Sequence, residues 1–77
     1  MKNRSRLDIT AEILNVANDG ALKTRIMYLA YLSFDQLEEY LALLNHNGLL
    51  EYDAKKRKYK TTNKGHDFLA KYSKVKI

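Results

Sequence analysis

Lys55, Lys56, Arg57, Lys58 and Lys60 put five cations within six residues, and Tyr52 and Tyr59 frame the first four. Ammonium and guanidinium groups at that density neutralise phosphates or carboxylates, and a patch of one sign draws polyanions toward it. The chemistry needs the run to be held out on a rigid element; in a solvated tail the same charges only keep the chain dispersed. Further cations stand at Lys2, Arg4 and Arg6, at the start of the chain, and at Lys23 and Arg25.

Other chemistries are poorly provided for. The chain has no cysteine, which excludes disulfides, thiolate metal ligands and cysteine nucleophiles together. His46 and His66 each lack a second ligand at the next helical turn, so no metal site is expected. Serine, aspartate and histidine are present, but no spacing places a nucleophile, a base and an orienting group together. Glu38 and Glu39 are adjacent, and neighbouring positions on a helix diverge by about 100°, so they do not converge on a substrate. No enzymatic activity and no cofactor are predicted. Tyr28, Tyr31, Tyr40, Tyr52, Tyr59 and Tyr72 would suit base stacking, yet their places in helical stripes and strand alternation favour packing in the core or at its boundary.

The elements that must position the cations are those of one small domain. At 77 residues, 45% hydrophobic and 30% charged, the chain has the balance of a folded protein with a single core. Its apolar runs fall far short of the roughly 20 residues of a bilayer span, and no apolar segment follows the basic start. A soluble, cytoplasmic protein is expected. Net charge is +5 but is segregated along the chain. Residues 1–30 carry +2, residues 31–53 carry −5 without one Lys or Arg, and residues 54–77 carry +8.

Ser5-Arg6-Leu7-Asp8 is a capping box, and Leu7, Ile9, Ala11, Ile13, Leu14, Val16 and Ala17 behind it form an apolar stripe that ends at Asn18-Asp19-Gly20. A short second helix runs from near Leu22 to Ala30. Ser33-Phe34-Asp35-Gln36 is another capping box, leading a third helix with Leu37, Tyr40, Leu41 and Leu44 on one stripe and a stop at Asn47-Gly48. Tyr31-Leu32 leaves room only for a tight turn, so the second and third helices must cross steeply. Leu49 to Tyr52 and Lys58 to Thr61 read as strands around a turn at Asp53 to Lys56. Thr61-Thr62-Asn63 offers caps for a last helix carrying Phe68, Leu69, Tyr72 and Val75. The order predicts a mainly α fold with a small β-hairpin (α+β), a winged helix-turn-helix in which the lysine run is the wing tip. A single domain is expected: a basic arm at residues 1–4, three helices over 5–48, the wing hairpin over 49–61 and a C-terminal helix over 62–76.

On the segments SRLDITAEIL, KTRIMYLAYLSFDQLEEYLALL, HNGLLEY and YKTTNKGHDFL, the chain resembles the small archaeal winged helix-turn-helix DNA-binding proteins, which include chromatin-associated and transcription-regulator members. The resemblance implies double-stranded DNA as partner, a third helix presented to the major groove and a wing along the adjacent backbone. It also implies association with the nucleoid if the chain is archaeal. Longer members append a long C-terminal helix that pairs as a coiled coil; that helix is lacking here, so its dimer interface does not carry over. A homodimer through the short terminal helices stays open.

Under this reading the DNA-binding residues are Lys55, Lys56, Arg57 and Lys58 in the wing, Lys2, Arg4 and Arg6 as an N-terminal arm, Lys23 and Arg25 in the second helix, and Ser33, Phe34 and Gln36 at the capped start of the third. The outer face of that third helix carries Asp35, Glu39, Ala42 and His46, with Glu38 beside it. Carboxylates repel a polyanion, and Gln36, which could pair with adenine, is claimed by its cap. Binding dominated by the DNA backbone is therefore expected. The alternative is a protein-protein interaction or dimerisation module using the acidic third helix and Leu43.

Overall fold

Two reciprocal capping boxes start the main helices. Ser5 Oγ accepts from Asp8 N at 3.0 Å while the Asp8 carboxylate accepts from Ser5 N, and α1 follows over Arg6–Val16. Ser33 Oγ accepts from Gln36 N at 3.1 Å and Gln36 Oε1 accepts from Ser33 N at 3.0 Å, opening α3 over Phe34–His46. Between them α2 spans Lys23–Leu29, with Leu22 and Ala30 as its caps rather than its first and last turns. Strands β1 (Leu50–Asp53) and β2 (Lys58–Thr61) and helix α4 (Asn63–Lys76) complete a computed structural model that describes residues 4–76, with side chains through residue 74.

The hairpin is antiparallel with Leu50 opposite Thr61 and Tyr52 opposite Tyr59. Alternation places Leu50, Tyr52, Tyr59 and Thr61 on one face and Glu51, Asp53, Lys58 and Lys60 on the other. A third piece of sheet, absent from the sequence reading, comes from Ala21: its N–H donates to Tyr59 O and its carbonyl accepts from Tyr59 N, both at 2.8 Å. One residue pair carries no periodicity, so nothing in the sequence marks it. The turn also lies one residue later than expected, because Asp53 pairs with Lys58 as part of the strand.

Ile13, Leu14, Ile26, Leu37, Leu44 and Leu50 are completely enclosed, so the core lies where α1, α2, α3 and the base of the hairpin meet. Buried Thr61 joins β2 to α1, its hydroxyl donating to Leu14 O at 2.7 Å and its N–H to Ala17 O at 3.0 Å. Thr62 caps α4 by accepting from Gly65 N at 3.0 Å. Phe68 and Leu69 pack against the core, and the Tyr72 hydroxyl donates to Asp8 Oδ1, docking α4 on α1. Expected packing of the tyrosines holds for Tyr40, which is buried, and in part for Tyr59 and Tyr72. It fails for Tyr28, 82% exposed on α2, which turns only Ile26 fully inward, and for Tyr31, 78% exposed in the turn after that helix. Leu7, also assigned to the apolar stripe, is exposed at the first turn of α1.

Both α2 and α3 end in Schellman turns. After α3, Leu49 N donates to Leu44 O at 2.9 Å and Gly48 N to Asn45 O at 3.1 Å, with Gly48 at φ 77° in the conformation glycine adopts without penalty. After α2 the same pattern, Leu32 N to Met27 O at 3.0 Å and Tyr31 N to Tyr28 O at 3.4 Å, places a tyrosine at φ 55°. A side chain there costs about 1–2 kcal/mol in Cβ crowding. This turn makes the brief link Tyr31-Leu32 possible and sets the crossing of α2 and α3.

Candidate nucleic-acid interface

The wing tip is an ordered turn. Asp53 Oδ1 accepts from Lys55 N at 3.0 Å and Lys56 N at 3.3 Å, and Arg57 closes the turn at φ 56°. At the base, the Tyr52 and Tyr59 rings pack 4.8 Å apart as a cross-strand pair, an arrangement that contributes about 0.5–1 kcal/mol. The four cations Lys55, Lys56, Arg57 and Lys58 are all exposed on this scaffold. They do not share one surface. Arg57 lines a cleft with Leu22, Lys23, Thr24, Tyr52 and Tyr59, between the wing and the start of α2. Lys55, Lys56, Lys58 and Lys60 line a second cleft with Glu51 and Asp53. Lys60 belongs to the cationic run but not to the DNA-binding residues expected from it. The alternation Lys58-Tyr59-Lys60-Thr61 carries the signal, since it puts Lys58 and Lys60 on one face.

Lys23 stands where the wing, α2 and α3 approach. Its ammonium pairs with the Glu38 carboxylate and lies 5.4 Å from the centroid of the Phe34 ring. The bond to Glu38 holds the Lys23 ammonium above the usual lysine range, so it stays charged at any physiological pH. Phe34, 58% exposed, is thereby a platform for a cation at the start of α3. Arg25 is exposed on α2. Ser33 and Gln36 are occupied with each other in the cap, and Asp35 sits in the first turn, where its carboxylate already complements the positive end of the helix.

The arginines of the expected arm are engaged elsewhere. Arg4 pairs with Glu12 and donates from Nη1 to Ala30 O at 2.7 Å and from Nη2 to Tyr31 O at 3.0 Å. The Arg6 guanidinium lies 5.3 Å from the centroid of the Tyr40 ring. Lys2 lies outside the described residues. The structure thus groups Lys23, Phe34 and Arg57 near one another and sets the wing lysines along a separate cleft, while Arg4 reaches back to the turn after α2 and Arg6, itself exposed, lies over the Tyr40 ring.

On α3 the faces divide as the helical spacing requires: Leu37, Tyr40, Leu41 and Leu44 are buried, and Asp35, Glu39, Ala42 and His46 are exposed. Glu38, beside them, is the carboxylate neutralised by Lys23. Among the described residues no group of three or more acidic or histidine side chains could hold a metal ion, and no helix is long and apolar enough to cross a membrane.

Three helices with a tight turn between the second and third, followed by a basic hairpin, define a winged helix, and the chain belongs to the winged helix-turn-helix family, whose model matches residues 3–77. Its fold is similar to that of Sso10a-2, described as a DNA-binding protein from Sulfolobus solfataricus, with a TM-score of 0.83 at 23% identity over 95% of this chain and 82% of that one. No curated protein sequence matches.

Proposed function

We propose that this protein binds double-stranded DNA through its wing and the adjoining start of α2 and α3, as a transcriptional regulator or a chromatin component associated with the nucleoid. The observation that carries the reading is the wing tip, where four consecutive cations are held on an Asx-type turn at the end of a paired hairpin. Lys23 and Arg25 extend that positive surface, and the fold's likeness to a chain described as DNA-binding supports the same partner. Duplex DNA carries one negative charge per roughly 1.7 Å of axis, so a row of exposed cations releases counterions wherever it lies along the backbone.

Backbone contacts dominate under this proposal. The exposed acids of α3 oppose close approach to a polyanion, and the amide of Gln36 is spent on its cap. Replacing Lys55, Lys56, Arg57 and Lys58 with alanine is expected to weaken binding similarly on all duplex sequences and to flatten the log-affinity slope against log salt by about 3–4 units. Unchanged affinity and slope in that variant would remove the wing from the contact.

The acidic face favours a second reading, because Leu43 is 41% exposed beside it and a protein partner could cover both. Reversing charge at Asp35, Glu38 and Glu39 separates the two. Tighter duplex binding supports the DNA interface alone, whereas loss of self-association or of a captured partner supports docking through α3.

A further inference from the structure

The helix-turn-helix has a weak member. Helix α2 is seven residues long, has no side-chain hydrogen bond at its N-cap, carries no basic residue in its last turn and buries only Ile26 completely. Its exit turn needs Tyr31 in the left-handed region, where glycine would be unstrained. A helix this short has little stability of its own, so its direction must be set by what holds its ends.

Arg4 supplies the hold. Its side chain is 18% exposed and reaches across 26 and 27 residues of sequence to the Ala30 and Tyr31 carbonyls, with Glu12 of α1 as the third partner of the guanidinium. The group combines a C-terminal cap with a cation at the negative end of the helix dipole. Two residues on, Arg6 lies over the ring of Tyr40, a buried residue of α3. The basic start of the chain therefore grips α2 at its exit and α3 at its middle. We infer that Arg4 is a positioning residue: it locks the α2–α3 turn and so sets the angle at which α3 and Lys23 meet a nucleic acid, without touching the phosphates itself.

The affinity part of the test rests on the DNA-binding reading; the part read on the free protein does not. Wild type, Arg4→Lys and Arg4→Ala are compared by amide chemical shifts without ligand, by thermal unfolding, and by affinity for a mixed-sequence duplex at several salt concentrations. Lysine keeps the charge, so a phosphate contact would survive Arg4→Lys, but its single nitrogen lacks the planar, spread donors with which the two guanidinium nitrogens reach separate carbonyls and a carboxylate. Arg4→Lys is expected to move the amides of residues 31–36, leave those of β1 and β2 in place, and weaken duplex binding about fivefold, the factor of one lost hydrogen bond, at unchanged salt slope. The inference is overturned if Arg4→Lys matches wild type in turn amides and affinity while Arg4→Ala loses about one unit of slope, which is the behaviour of a phosphate contact. A lower Tm with unaltered affinity of the folded variant also overturns it, because that is a role in stability alone. Should Arg4→Ala fail to fold, Arg4→Lys decides by itself. If wild type binds no duplex, the DNA reading falls and the turn amides still decide whether Arg4 locks the turn.

Discussion

Gly65 shows how closely the wing is tied to the helix behind it. It stands in the first turn of α4, and a Cβ on it would lie 2.5 Å from Leu49 O and 2.5 Å from Thr61 Cγ2. Helix propensity alone favours alanine there by about 1 kcal/mol. Overlap with a backbone carbonyl outweighs that gain, because Leu49 belongs to the Schellman turn of α3 and cannot give way without disturbing it. Gly65→Ala is accordingly expected to destabilise the fold by about 1–3 kcal/mol, read from the urea midpoint at constant m. A variant as stable as wild type would mean that α4 moves freely off the hairpin. The sequence contains this glycine without marking it, since the crowding comes from residues on two other elements. Arg57 is a second case. Its place in a charged run is visible in sequence, but its φ of 56° is a property of the closed turn, and it aims the guanidinium toward the α2 cleft, apart from the lysines beside it.

Elements whose ends carry their own partners were legible from the residues. The S-x-x-D and S-x-x-Q boxes form as paired bonds, and Gly48 stops α3 with the glycine conformation expected of it. Ser33→Ala removes a cap at the helix nearest the proposed interface and leaves Gln36 without its hydroxyl partner. The expected cost is about 1 kcal/mol of stability, with faster hydrogen exchange confined to the first turn of α3. Equal exchange rates across that turn in wild type and variant would show the box to be dispensable. The turn after α2 was only half legible. Its brevity was plain, but a tyrosine at the left-handed position gives no signal, and the arginine that satisfies its carbonyls lies at the far end of the sequence.

At the scale of the molecule the charge segregation acquires a shape. The acidic stretch forms the outer face of α3 and reaches the wing only as Glu51 and Asp53, which share a face with Lys58 and Lys60, while other cations occupy the wing tip, the start of α2 and α4. With about five phosphates engaged, the salt slope is roughly −4 to −5, and raising salt from about 50 to 200 mM is expected to lower affinity about 250- to 1,000-fold in a fluorescence anisotropy titration. A loss below about tenfold would mean that one or two phosphates are engaged, too few for the wing and α2 together. Helix order, caps, the hairpin and the segregation of charge followed from the sequence alone, because each is encoded by residues a few positions apart. Where the cations outside the wing find their partners did not. Arg4 on the carbonyls of Ala30 and Tyr31, Arg6 over the Tyr40 ring and Lys23 on Glu38 join residues far apart in the chain, so these contacts form only once the helices have packed.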